Sequence, residues 1–173
     1  FYLVLTITNK FAAEAVFTNA LHQAGKSVNH ITAYPTPLNN VLWYVVAEEP
    51  SGFDMGYYSL FTSFDTPIQF QYIPKNHRLI REAEDQKVID RMRWVSKNQF
   101  VLENRDGNLL WHDLRFGLLN GLNPAAQHPE YVFSYRMIKE DSIYVDIEQI
   151  QPDNLTKLRQ ESLPAIWRGI WGK

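Results

Sequence analysis

Few side chains in this chain have types and spacings that could do chemistry. The histidines stand at His22, His30, His77, His112 and His128, and none belongs to an H-E-x-x-H or a comparable paired spacing. A zinc centre needs several His, Cys or carboxylate donors converging on one point. With no cysteine and no paired histidine, no metal-ligand set is read from these residues, and thiolate chemistry and disulfides are excluded. A G-x-S-x-G elbow and a glycine-rich phosphate loop are missing too. No catalytic residue is assigned.

Three constellations remain. Over residues 109–116, alternation places Trp111, Asp113 and Arg115 on one strand face and Leu110, His112, Leu114 and Phe116 on the other. Asp113 and Arg115 are close enough to pair or to hold a polar ligand jointly, with Trp111 as an aromatic wall. A structural ion pair is the simpler reading, because a buried charge must be paired. His112, alone on an apolar face, reads as a hydrogen-bonded core residue. Asp146 and Glu148 share a face opposite Val145 and Ile147; two carboxylates can do acid and base work when their environments separate their pKa values, although on a hairpin strand a solvated face is the simpler reading. Asn39 and Asn40 stand directly before the apolar run 41–47. Their amides either satisfy backbone groups in a turn or face a ligand beside Trp43 and Tyr44. The candidate ligand-binding set is Asn39, Asn40, Trp43, Tyr44, Tyr57, Trp111, Asp113 and Arg115, with Tyr58 extending the aromatic lining.

The elements that must position these residues follow from periodicity. Apolar residues Leu3, Ile7, Phe11, Ala15, Phe17 and Leu21 recur near helical steps, and Gly25 stands where a left-handed cap is expected, so a helix is predicted over 3–24. Strands are predicted over 28–34 and 41–47, the second apolar throughout and covered on both faces. A strand over 53–61 contains Gly56, which marks a bulge or a close backbone approach. Ile68, Phe70 and Tyr72 alternate as a further strand ended by Pro74. Residues 76–97 read as one broken or two short helices with Asp85 as a cap. Asp106-Gly107 predicts a tight hairpin into 109–116; 117–130 is a loop; 131–138 and 142–150 form another hairpin. A last helix starts at Asp153 and carries Pro164 inside it. This order predicts a single α+β domain on a curved, mainly antiparallel sheet with N-terminal, central and C-terminal helices.

Composition narrows the classes. At 173 residues the chain can bury a real core without a metal or crosslink. A net charge of -2 carries no basic footprint, so nucleic acid is not expected as a partner. Phe1 to Ile7 is apolar on every helical face before Thr8-Asn9-Lys10, whereas a surface helix keeps a polar side. Seven residues cannot span a bilayer, but they fit the last turns of a helix that does.

Several blocks then resemble a known family: F-Y-L-V-L-T-I-T-N-K from Phe1, P-T-P-L-N-N-V-L-W-Y-V-V-A-E from Pro35, G-Y-Y-S-L-F from Gly56, Y-I-P-K-N-H from Tyr72 and D-L-R-F-G from Asp113. In the same order, they resemble the C-terminal part of the predicted membrane-bound metal-dependent hydrolases of the YdjM/YbcI type, in the long form of Bacteroidetes-like bacteria. The resemblance implies a His- and Asp-containing motif for a divalent metal among N-terminal transmembrane helices, followed by a soluble domain. None of that motif occurs in this sequence, so no family catalytic residue carries over. It implies a domain spanning 1–173, hung from a bacterial inner-membrane helix ending over 1–7. The implied partner is the protein's own membrane portion, the substrate an unidentified small or lipid-derived molecule. Lys10 beside the membrane exit leans towards the cytoplasmic side. Two other readings stand beside this one: a sensor module with an aromatic-lined pocket, and a stand-alone hydrolase using His112 or the Asp146–Glu148 pair.

Overall fold

The computed structural model describes residues 2–37, 39–63, 66–83, 86–123, 126–150 and 155–171, without the side chains of residues 2 and 155–162. The first element, α1 (Tyr2–Gln23), ends as its sequence predicts: Gly25 takes φ +68°, and the Lys26 N–H donates to Leu21 O while the Gly25 N–H donates to His22 O, both at 3.0 Å. A residue without Cβ adopts this left-handed cap at no steric cost. Ala13, Phe17 and Leu21, four residues apart, form the buried stripe of α1.

That stripe lies on a four-stranded antiparallel sheet of β1 (His30–Pro35), β2 (Leu42–Glu48), β3 (Gly52–Ser59) and β4 (Gln71–Pro74), in that order. Strand β2 is buried on both sides. Trp43, Val45 and Ala47 meet α1, whereas Tyr44 and Val46 point away from it. Against the second face packs another antiparallel meander, β5 (Phe100–Arg105), β6 (Asn108–Leu118), β7 (Tyr131–Glu140) and β8 (Ile143–Ile150). Tyr44, Val46, Phe53, Met55 and Ile73 meet Val101, Leu114 and Leu118 between the sheets. The outer face of the second sheet, Phe100, Leu102, Leu109, Trp111 and Met137, is covered by a 3-10 helix (His77–Ala83) and α2 (Lys87–Ser96) through Ile80, Ile89 and Met92. The layers therefore run helix, sheet, sheet, helix. A final helix, α3 (Leu155–Ile170), contains Pro164 and reaches the Leu42 end of the first sheet.

The α+β class and antiparallel pairing are as the element order predicts, with the strands shared between two four-stranded sheets. Asp106 (φ +53°) and Gly107 (φ +79°) form the two-residue turn joining β5 to β6. At Gly56 the feature is a close approach: a Cβ there would meet Ile68 Cγ2 and Phe70 Cδ1 at 2.9 Å, and the β2–β3 register is continuous. Ile68 and Phe70 fold over this glycine instead of pairing, so β4 begins only at Gln71. Strand β6 runs on into the predicted loop as far as Leu118, with Gly117 at φ +79° where the β6–β7 register shifts. The caps expected at Asp85 and Asp153 lie outside the described residues. Gln86 precedes α2, and its Oε1 accepts the Tyr144 N–H at 2.7 Å, tying that helix to β8.

Candidate functional site

Asn39 is committed to the turn that launches β2. Its Oδ1 accepts the Val41 and Leu42 N–H groups at 3.0 and 2.7 Å, and its Nδ2 donates to Thr36 Oγ1 at 2.6 Å. Asn40 ties the same corner to α1: its Nδ2 donates to Thr6 Oγ1 at 3.0 Å, and its carbonyl accepts Asn9 Nδ2 at 3.0 Å and the Trp43 indole N–H at 3.3 Å. The Asn40 Oδ1 is buried without a partner among the described residues. These amides do what asparagine does before a strand.

The aromatic candidates fall into separate layers. Trp43 lies under α1, while Trp111 faces α2 at the end of a ring stack that runs His77, Phe100, Trp111 with centroid separations of 4.1 and 3.7 Å. Tyr44 and Tyr57 lie between the sheets, 5.7 Å apart, and Tyr34 stacks on Tyr44 at 5.5 Å. Burial pushes the Tyr57 phenol up to about 12, although its bond to the Leu118 backbone opposes the shift. These hydroxyls act as neutral hydrogen-bonding groups.

Asp113 and Arg115 form the expected pair. Arg115 Nε and NH2 donate to the two carboxylate oxygens at 3.0 and 2.6 Å, and the Arg115 N–H adds a third bond at 3.0 Å. Asp113 is fully buried and Arg115 largely so. Around them stand Tyr44, whose hydroxyl donates to Arg115 O, and Tyr34, whose hydroxyl donates to Gln99 Oε1 at 2.8 Å. The bonds of the pair lie within β6, and the Tyr44 hydroxyl on Arg115 O ties that strand to β2. Two open grooves lie elsewhere: one of about 550 Å³ between α1 and Thr66 to Ile68, another of about 580 Å³ beside Asn104, Arg136 and Tyr144. Neither is lined by the eight sequence candidates.

His112 has partners that its lone position in the sequence did not reveal. Its Nδ1 lies 2.7 Å from Ser134 Oγ on β7, and its Nε2 lies 3.2 Å from Glu103 Oε2 on β5, with the Tyr131 ring stacked on it at 4.0 Å. Burial pushes the imidazole down to about 4; Glu103 opposes that shift and Arg105 adds to it. A hydroxyl, a neutral imidazole and a carboxylate in series have the connectivity of a nucleophile–base–acid relay. Two features turn it towards structure. Glu103 shares both oxygens with Arg105, at 2.9 and 3.0 Å. Ser134 sits in mid-strand, facing His112 on one side and Ile150 on the other, instead of on a turn that would gather free N–H donors for an oxyanion. Asp146 and Glu148 do not act together either: Glu148 pairs with Arg136 at 3.2 Å, and Asp146 Oδ1 accepts the Ile147 N–H at 2.8 Å. Among the described residues no three His, Asp or Glu side chains converge as a metal centre requires.

The two ends of the first sheet carry features that residue types alone left unread. At the Glu48 end, Lys26 meets both oxygens of the buried Asp54 at 3.1 and 3.0 Å and Glu49 at 3.5 Å, while Lys75 meets Glu48 at 2.7 Å. An acidic residue inside the apolar run Phe53-Asp54-Met55 was the available signal, since a buried carboxylate demands a cation. At the Asn40 end, Phe61 stacks on Trp171 at 5.4 Å, Trp171 meets Trp167 edge-on at 6.1 Å, and Ser59 Oγ bonds Ile170 O. Trp167 and Trp171 stand four positions apart, whereas no sequence signal links either to Phe61, more than a hundred positions away. Comparison with family models, with curated proteins and with solved structures yields no match to this chain.

Proposed function

We propose that this chain is the water-facing C-terminal domain of a membrane-bound, metal-dependent hydrolase of the YdjM/YbcI type, suspended from α1. On this reading the metal ligands and catalytic residues belong to a membrane portion N-terminal to Phe1. The observation that carries it is the surface of α1 beyond the sheet. Leu3, Val4, Leu5 and Ile7 are between 45% and 71% exposed and spread over more than half of the helix circumference, with Thr6 held to Asn40 on the remaining side. Full burial of such a side chain is worth roughly 1.5–3 kcal/mol, so these turns favour an apolar surrounding over that broad arc. Among the described residues no helix is long and apolar enough to cross a membrane; these turns are read as the water-side end of one. The ordered sequence blocks supply the family and the hydrolase chemistry. An aromatic-lined sensor pocket has less support, because Trp43 and Trp111 serve different cores.

The reading frame upstream of Phe1 tests this directly. Hydrophobic spans and a His-rich motif joined to it are expected, with the complete protein in the membrane fraction and hydrolysing in a metal-dependent manner. Tight metal binding with hydrolytic turnover by residues 1–173 alone would overturn it.

A further inference from the structure

We infer that Phe61, Trp167 and Trp171 form a wedge that lays the Asn40 end of the first sheet onto the headgroup region of a phospholipid bilayer. The inference rests on the reading of α1 as membrane-proximal and adds a second, independent contact. The three rings are 52–64% exposed and touch one another in series, so they form one apolar patch. Isolated exposed apolar residues need no explanation, but a contiguous aromatic patch marks a binding surface.

The patch lies at the level where α1 changes character. The exposed apolar run of Leu3, Val4, Leu5 and Ile7 gives way to Thr8-Asn9-Lys10, with Phe11 exposed one turn further on. Thr6 and Asn9 are both bonded to Asn40. Two residues later Leu42 pairs with Ser59, whose hydroxyl holds Ile170 O, and Gly169 packs against Leu42. One end of the sheet thus sets the apolar-to-polar boundary of α1 and the aromatic patch side by side. A folded protein partner covers one side of a helix. The exposed side chains Leu3, Val4, Leu5 and Ile7 spread over more than half of the circumference of α1, an arc that a surrounding apolar medium covers and a single flat partner face does not. Tryptophan and its indole N–H suit the boundary of such a medium, and the exposed Arg168 in the last turn of α3 places a cation where lipid phosphates lie.

Tryptophan fluorescence of the 173-residue chain with vesicles of phosphatidylethanolamine and phosphatidylglycerol tests this. Trp43 and Trp111 are buried and silent to the surface, and Trp94, 81% exposed on α2, is replaced by Phe in the working background and kept as the sole exposed indole in a control. Emission should shift to the blue, and lipids brominated near the headgroup should quench it, whereas the Trp94 control should respond to neither. Combined Phe61→Ser, Trp167→Ser and Trp171→Ser should weaken vesicle partition at least tenfold with an unchanged far-ultraviolet dichroism spectrum. If that variant partitions normally while Leu3→Asp with Ile7→Asp abolishes binding, the wedge is overturned and the suspension from α1 stands. Absence of quenching in the parent chain overturns the wedge as well. Self-association that the serine variant dissolves, without quenching by brominated lipid, assigns the patch to a second copy and overturns the lipid assignment.

Discussion

The two ends of the first sheet are built from the same strands yet solve opposite problems. At the Glu48 end, Lys26, Glu49, Asp54, Glu48 and Lys75 bring charges together, and the chain is finished with ion pairs facing water. At the Asn40 end the ties are neutral: Thr6, Asn9 and Asn40 amide and hydroxyl bonds, and Ser59 to a backbone carbonyl. Around those ties stand Leu3, Val4, Ile7, Phe11, Phe61, Trp167 and Trp171, all exposed. On the membrane-anchored reading proposed above, the charged end points away from the bilayer.

Substitutions can break or sharpen that contrast. The largest effect belongs to α1 itself, where Phe17 is buried against the sheet and Phe11, six residues earlier, is exposed. Phe17→Ala should destabilise the fold by about 3–5 kcal/mol in urea denaturation.

Acid comes next, since none of the ties at the Asn40 end is ionisable. The His112 pKa is depressed in the folded chain to about 4, from an ordinary value near 6.5. The unfolded chain therefore takes up a proton that the native state refuses as pH falls through that window. Stability present above pH 6.5 should be lost by on the order of 3 kcal/mol on the way down to pH 4, and His112→Gln should flatten that slope. An unchanged slope in the variant would mean that the imidazole is not held neutral between Ser134 and Glu103.

At the charged end, Lys26→Met leaves the buried Asp54 carboxylate without its cation. A loss of about 2 kcal/mol is expected, below the cost for a fully buried pair because Lys26 keeps part of its surface in water. Adding Asp54→Leu should restore most of it, as a double-mutant cycle will read. Asn39→Ala removes an acceptor for two backbone N–H groups and should cost about 1 kcal/mol in the same assay. The smallest effect, within about 0.5 kcal/mol in water, is expected for Phe11→Ala. If Phe11→Ala costs as much as Phe17→Ala, the contrast between a buried and an open face of α1 fails.

Much of the local architecture was legible because it depends on neighbours in the chain. Gly25 closes α1 and Asp106-Gly107 turns the β5–β6 hairpin, since each position needs a backbone conformation that few residues tolerate. The uninterrupted apolar run into β2 announced a strand covered on both faces. Asp113 and Arg115, two apart on one strand, were readable as a pair for the same reason. His112 was readable as a hydrogen-bonded core residue, but its partners were not: Ser134 and Glu103 reach it only through the registers of β6 with β7 and with β5, which short-range periodicity leaves open. Trp43 and Trp111 looked like one aromatic lining in the sequence, and the layer order separated them. Residue type states what a side chain prefers to touch, whereas layer order decides which neighbour supplies it.

By itself the sequence determined most of the elements, the Gly25 cap, the Asp106-Gly107 turn, the α+β class and the apolar run at the start of α1, all properties of contiguous residues and their dihedral preferences. Only the tertiary structure decided that the strands divide into two facing sheets, that the candidate aromatics part company, and that Phe61 meets Trp171 beside the start of α1. Those outcomes depend on contacts between residues far apart in the chain, whose free energy arises when apolar faces leave water together.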